Sequence, residues 1–381
     1  MKPQPKERTM NDILLIGAGK IGQLVAALLS QAAAQTGGGA YRVTVADASA
    51  EALQALGPAG PRLRKLQLDL RDGAALQAAL AGRFAVLNAA PFAAAWPVAR
   101  AACAAGVHVL DLTEDVASTR RIQALAPEAR SVLLPQCGLA PGFVSMAAAD
   151  LARGFERLDS VRLRVGALPA YPSNALNYNL TWSTDGVINE YCEPCDAIVD
   201  GQRCQVPALE EHEELSIDGV RYEAFNTSGG LGTLCDTLAG RVRTLNYRTI
   251  RYPGHAAIMK ALLHDLRLKD RRPLLKDILE QALPATSQDV VIILVTVSGW
   301  RGGRLVQDTL ARQIHGRPLA GAMRSAIQLT TASSLCAMLD LLVQGRLPQR
   351  GFVHQEDVAL ADFLANRFGQ VFAEPALARA A

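Results

Sequence analysis

The sequence predicts an α/β protein, a doubly wound parallel sheet of the Rossmann type with an inserted mixed-sheet α+β domain. Three observations carry this. Gly17-Ala18-Gly19-Lys20-Ile21-Gly22 joins a short apolar run, Ile13 to Ile16, to a long Ala/Leu helix. Short apolar runs then alternate with helical segments to about residue 150, the rhythm of parallel strands and crossover helices. From about Val161 the runs lengthen and alternate apolar with polar residues, separated by hairpin signals such as Asp200-Gly201, Asp218-Gly219 and Gly302-Gly303.

In chain order, residues 1–11 carry Lys2, Lys6 and Arg8 but no apolar centre, so they read as a flexible leader rather than a signal peptide. The nucleotide-binding domain is expected over 12–150. In its first turn Gly17 permits a tight strand-to-helix bend, Gly19 lets backbone approach a pyrophosphate, and Gly22 lets the helix pack close. The helix N-terminus at Lys20 and Ile21 offers free N–H groups to phosphates. The next strand, Tyr41 to Ala46, ends in Asp47, whose carboxylate would accept the adenosine ribose hydroxyls and repel a 2′-phosphate. The following Ala48-Ser49-Ala50-Glu51 holds no cation to neutralise one, so NAD is expected over NADP. As an alternative role, Asp47 would cap the helix that follows.

Further strands are expected at Leu66–Leu70, Phe84–Ala90, His108–Leu112 and Ser131–Cys137. Ligands bind beyond the carboxyl ends of such strands, which adds Asp69, Asn88, Ala89 and Pro91 to the expected cofactor site and brings Asp111 and Glu114 to its mouth. A substrate and dimerisation domain is expected over 151–319, with strands at Val161–Ala167, Ala197–Val206, Ile217–Asn226, Val242–Tyr252, Asp289–Gly299 and Gly303–His315. An open sheet face there would favour a homodimer or higher homo-oligomer. Residues 320–381 are expected to return to the first domain as helices, a long one over Ala320–Leu342 and another near Glu356–Phe368.

A net charge of +3 without basic runs argues against a nucleic-acid partner, and charges break every apolar stretch before it could span a bilayer. Seven scattered cysteines fit free thiols in a reducing cytoplasm. Cys192, Cys195, Cys204 and His212 match no standard zinc spacing, so no metal is expected.

Four segments are richer in polar residues or glycine than packing requires. Asn226-Thr227-Ser228-Gly229-Gly230 is a turn whose amides would hold a carboxylate, or an ordinary strand-to-helix turn. Arg248 and Arg251 stand three apart on one strand and so face opposite ways, which leaves one of them for a pocket. Arg251 is the expected carboxylate ligand, and His255 begins a helix four residues on. Tyr178 and Trp182 lie in a polar stretch and would contact substrate or fill core. Asp111 and Glu114 complete the set.

Together, the glycine fingerprint, Leu139-Ala-Pro-Gly-Phe143, Glu223-Ala-Phe-Asn-Thr-Ser-Gly-Gly230 and Thr249-Ile-Arg-Tyr-Pro-Gly-His255 resemble the saccharopine dehydrogenase-like family, and within it the lysine 6-dehydrogenases. The resemblance runs from about Ile13 to Phe368. It implies NAD-dependent oxidative deamination of the lysine ε-amino group to the 6-semialdehyde, which cyclises to a piperideine carboxylate while ammonia leaves. It also implies a split nucleotide domain, a dimerising insert and no metal. Reductive C–N bond formation uses the same fold, and a non-catalytic nucleotide-binding protein is a third possibility. Cys137 departs from the acidic or other polar residue common before Gly-x-Ala-Pro-Gly. A lysine ammonium, with a pKa near roughly 10.4, must lose its proton before hydride can leave the adjacent carbon. Asp111, Glu114 or His255 is the candidate base, Asp111 foremost because it ends a strand at the crevice.

Overall fold

Both faces of β1 (Asn11–Ile16) are covered, which is why Ile13 to Ile16 are apolar without alternation. The computed structural model describes residues 10–31 and 40–373, so all of the expected leader but Met10 and Asn11 lies outside the described residues. Helix α1 (Lys20–Gln31) follows β1, and then β2 (Tyr41–Asp47), α2 (Ala50–Gln54) and β3 (Leu63–Gln67). Next come α3 (Gly73–Leu80), β4 (Ala85–Asn88), α4 (Ala95–Ala105), β5 (His108–Asp111), α5 (Val116–Gln123), β6 (Val132–Leu134) and α6 (Phe143–Ala152).

The insert holds β7 (Arg157–Pro169), α7 (Thr184–Cys192), β8 (Cys195–Val199), β9 (Gln202–Val206), β10 (Glu213–Ile217) and β11 (Val220–Asn226). It continues with α8 (Leu234–Thr237), β12 (Thr244–Arg251), α9 (His255–Lys260), α10 (Arg272–Ala282), β13 (Asp289–Arg301) and β14 (Arg304–His315). A small hairpin, β15 (Arg317–Leu319) with β16 (Ala322–Arg324), leads into α11 (Ala326–Val343), β17 (Gly351–Phe352) and α12 (Leu360–Ala365).

The first sheet runs β17-β6-β5-β4-β1-β2-β3, all parallel, with the order reversing between β1 and β4. That reversal is where such sheets open a crevice at their carboxyl edge. Its seventh strand, β17, comes from beyond the insert, so the domain is split in sequence. The second sheet is mixed, β10-β11-β12-β7-β13-β14, with the β8–β9 hairpin joined at β12. Val161, Leu163, Val165, Val291, Ile293, Val295 and Val297 turn one of its faces onto a core shared with α6 and α11. Contrary to the expectation that charges break every apolar stretch, helix α11 is long and apolar enough to cross a bilayer, but most of it is buried inside the protein, where Leu335, Cys336, Met338 and Leu339 have no exposed surface.

Several expected elements moved. The strand expected at Leu66–Leu70 is β3, displaced toward the N-terminus because Leu63–Gln67 pairs with Val43–Asp47, while Asp72 turns to cap α3. The single strands expected over Ala197–Val206 and Ile217–Asn226 are divided at Asp200-Gly201 and Asp218-Gly219, where all four residues have positive φ; the second run pairs with β10. The helix expected from Ala320 starts at Ala326, after the hairpin, where Ser325 and Gln328 form a capping box. The one expected near Glu356–Phe368 is reduced to a short 3-10 turn and α12.

Candidate active site

The three glycines of the first turn do separate work. Gly17 has φ of +100° and lies so near Ala89 that an added Cβ would sit 2.8 Å from its carbonyl oxygen. A Cβ on Gly22 would overlap the carbonyl of Gly17, so the loop can turn onto α1 only if that residue is bare. Gly19 is different: a Cβ there would meet nothing within 4 Å. Its open side, with Lys20 and Ile21, faces a cleft of about 370 Å³. That vacancy at a helix N-terminus suits a pyrophosphate, so the residues present fit a nicotinamide dinucleotide. Asp47 lies outside this cleft at the end of β2, where its Oδ2 accepts from the Ala18 amide at 2.8 Å and its Oδ1 from the Ser49 amide at 2.8 Å. Ser49, not Asp47, caps α2.

Of the other expected cofactor residues, Ala89 and Pro91 line the cleft. Asn88 is buried and accepts from the Ala90 amide at 3.2 Å, shaping the loop rather than facing the cleft. Asp69 is held by Arg71 through a two-pronged ion pair that keeps its carboxyl down at about 2, and it stands away from the cleft.

The cleft continues past Leu112, Thr113 and Glu114 after β5 and past Gly138 to Pro141 after β6. Its far wall is the insert: Val165 and Ala167 of β7, Tyr247, Thr249 and Arg251 of β12, Thr181 to Ser183, and Glu190 of α7. Ile327 and Thr331 of α11 close one side. Three charged groups therefore meet on the side of the cleft away from the glycine loop: Glu114, Glu190 and Arg251.

Arg251 is 2 % exposed, and Arg248 on the opposite face ion-pairs with Glu211 and Glu213. Arg251 Nε donates to the Tyr191 hydroxyl at 2.9 Å and Nη1 donates to the Ile250 carbonyl at 2.8 Å; no described carboxylate pairs with it. Its guanidinium carbon lies 5.2 Å from the centre of the Tyr178 ring, so Tyr178 supports the arginine from behind and does not line the cleft. Trp182 does line it.

The proton positions behind Arg251 follow from the partners. His255 Nδ1 lies 2.9 Å from the Leu176 carbonyl, which can only accept, so Nδ1 carries the proton. His255 Nε2 is then an acceptor for the Tyr191 hydroxyl at 3.0 Å, leaving the tyrosine oxygen to accept from Arg251. Burial and the adjacent Arg251 push the imidazole down to about 3. With both nitrogens engaged and no face on the cleft, His255 is a support for Arg251, and its candidacy as the base fails.

Asp111, the foremost candidate, fails on position too. It is fully buried and absent from the cleft wall; its Oδ1 accepts from the Thr113 amide at 2.9 Å and the Gln136 amide at 3.2 Å. Strand alternation turned it under the turn that carries Glu114 outward. Burial raises Asp111 to about 6 and Glu114 to about 7, the latter also through the charges of Asp115 and Asp111. Glu114 faces the cleft, so it is the one carboxylate of the original candidates placed to touch a ligand.

Thr227, Ser228 and Gly229 do not line this cleft either. The Ser228 amide donates to the Glu190 carbonyl at 2.9 Å, its hydroxyl donates to the Pro194 carbonyl at 2.9 Å, and a Cβ on Gly229 would overlap the Glu114 carbonyl. The turn is a buttress for the two acids rather than a carboxylate nest. Glu223 shows why its motif travels with the Tyr-Pro-Gly-His turn: its carboxylate accepts from the amides of Gly254 and Ala256 at 2.9 and 2.7 Å. Cys137 is buried under the cleft floor, where Gln355 reaches its sulfur at 3.4 Å.

Glu190 was absent from the sequence reading. It sits in Val187-Ile188-Asn189-Glu190-Tyr191, a buried helix face whose only sequence signal is a charge amid apolar neighbours. Burial first, then the Glu114 charge, holds its carboxyl well above the usual range, while Arg251 opposes them.

The sequence matches two family models: the saccharopine dehydrogenase NADP binding domain over residues 13–133, and the saccharopine dehydrogenase C-terminal domain over 138–370. The chain belongs to the saccharopine dehydrogenase family. That makes it a member of a family of NAD(P)-dependent oxidoreductases. Its structure is similar to apo saccharopine dehydrogenase (L-Glu forming) from Saccharomyces cerevisiae, with a TM-score of 0.72, 18 % identity, and 92 % of this chain and 95 % of that one covered. At that identity the likeness shows the fold alone. A probable dehydrogenase from Thermotoga maritima is more distant, with a TM-score of 0.43, 14 % identity, and 93 % and 94 % covered.

Proposed function

We propose that this member of the family oxidatively deaminates the ε-amino group of L-lysine or a close amino acid, with NAD as the oxidant. The observation that carries the reading is the meeting of a buried Arg251, without a described carboxylate partner, with Glu114 in a cleft that reaches the glycine loop. A guanidinium held by neutral partners, with no internal carboxylate, suits a substrate carboxylate, because it remains charged when buried and keeps donors to offer. Asp47 favours NAD, since its carboxylate would face the ribose.

The bound dinucleotide supplies the hydride acceptor. Glu114 removes the ammonium proton, freeing the lone pair that forms the C=N bond as hydride departs from the adjacent carbon. A carboxyl held at about 7 is poised for this near neutral pH. Water then adds to the imine carbon, Glu114 returns a proton to nitrogen, and ammonia leaves behind an aldehyde. One amine and one water are consumed, and hydride and a proton are released. Val165, Ala167, Leu139 and Ile327 supply apolar wall for a methylene chain between the carboxylate and the amine. The working assembly in this reading is a homodimer, with Leu305 of β14, 63 % exposed on the insert's sheet, as apolar surface for a second copy to cover.

The test is NADH formation on mixing the purified protein with NAD and L-lysine, ornithine or 1,5-diaminopentane at mildly alkaline pH. Lysine-dependent NADH with stoichiometric ammonia supports the reading. No NADH from any of the three, with dinucleotide binding intact, overturns it.

A further inference from the structure

Glu190 is 7 % exposed, lines the cleft, and its carboxyl has no described hydrogen-bond or ion-pair partner. Arg251, buried on the same wall, is hydrogen-bonded to the Tyr191 hydroxyl and the Ile250 carbonyl but has no described carboxylate to balance its charge. The two interact through space yet do not form an ion pair with each other. The fold evidently keeps them apart. Tyr191, the next residue of α7, takes Arg251 Nε, and the Ser228 amide fixes the backbone of Glu190 at its carbonyl. A buried carboxyl without a partner and a buried guanidinium without a counter-ion, both facing one space, form a costly arrangement. It is satisfied by a ligand that brings a cation and an anion of its own, side by side.

We infer that Glu190 and Arg251 together read the zwitterionic head of an α-amino acid, Glu190 taking the α-ammonium and Arg251 the α-carboxylate. Glu114 is thereby left for the distal amine. The remaining cation on the cleft wall, Lys20, stands on the glycine loop among the groups facing the dinucleotide. Two acids against one arginine on the substrate side favour a substrate with two ammonium groups and one carboxylate. They disfavour adducts carrying two or three carboxylates. The assignment rests on the cleft being an amino-acid site, and it concerns binding rather than turnover.

Its test is calorimetric titration of NADH-loaded protein with L-lysine and with 6-aminohexanoate, which keeps the carboxylate and distal amine but lacks the α-ammonium. The intact protein should prefer lysine by roughly 10- to 100-fold, the range for a charge-assisted hydrogen bond. Glu190→Gln, an isosteric change that removes a buried charge, should erase that preference by weakening lysine alone. Glu190→Asp, which keeps the charge but withdraws it by one methylene, should fall between. Undiminished preference for lysine in Glu190→Gln, equal losses for both ligands, or no preference in the intact protein would each overturn the assignment. NADH formation from lysine alongside any of these would leave the deaminase reading standing while the Glu190 role fell; loss of preference in Glu190→Gln without turnover would do the reverse.

Discussion

Glu114→Gln should move activity and stability in opposite directions. In the folded protein burial holds this carboxyl up at about 7, against 4.5 in an unfolded chain. Because the folded pKa is raised, the native state binds the proton more tightly, and stability is lost as pH rises through the window from about 4.5 to about 7. At pH 8 the ionised side chain costs the native state at most about 3 kcal/mol, lowered toward about 2 by water in the cleft. Glutamine keeps the shape and carries no charge, so the variant should melt a few degrees higher at pH 8 and match the parent near pH 4.5. Removing the charge also relieves Glu190, which Glu114 holds up, and adds to the gain. The same change removes the base, so kcat for lysine oxidation should fall by roughly 10²- to 10⁴-fold. Scanning calorimetry from pH 4.5 to 8 beside NADH assays reads both. A variant that is less stable at pH 8, or turns over at the parent rate, would refute the placement of Glu114 as a half-buried base in the cleft.

Other outcomes follow from the same geometry. In the parent, kcat/KM should rise with pH to a break near 7, since the base must be ionised; a rising limb centred below pH 5 would contradict the buried carboxyl. Tyr191→Phe deletes the acceptor for Arg251 Nε, so KM for lysine should rise roughly tenfold while KM for 1,5-diaminopentane, which lacks the carboxylate, stays within about twofold. Gly22→Ala should cost about 1–3 kcal/mol in chemical denaturation because its Cβ overlaps a backbone carbonyl, whereas Gly19→Ala should leave stability alone and weaken dinucleotide binding in a fluorescence titration. Asp47→Ser should weaken NAD and narrow its advantage over NADP; unchanged NAD affinity would place the ribose elsewhere.

The nucleotide half was legible because its rules are local. A strand, three glycines, a helix and a closing acid lie within 40 residues, and each glycine's duty follows from backbone sterics. The opposite facing of Arg248 and Arg251 was legible too, since strand alternation needs no tertiary knowledge. Strand-end position misled at Asp111, which looked available at the crevice but is buried and accepts from the Thr113 and Gln136 amides. Thr227 to Gly229 looked like an anion nest, yet whether loop amides are free depends on what packs against them, and here Ser228 is spent on Glu190. His255 was ambiguous because only Leu176, 79 residues away in sequence, fixes its tautomer. Glu190 was missed because an isolated acid in a helix gains meaning only from the space that it faces.

The return of the chain through α11 and β17 bears on how the protein is made. The first sheet lacks its seventh strand, and α1 lacks the helix it packs on, until residues 326–352 have been synthesised. Tyr41 waits as well for Asp340, to which its hydroxyl donates at 2.5 Å. A nascent chain therefore carries an uncovered apolar sheet through the whole translation of the insert, roughly 10–40 s at ordinary ribosomal speeds. The N-terminal domain begins first and finishes last. Fragments ending before α11 should accumulate as chaperone clients rather than as a free nucleotide-binding domain.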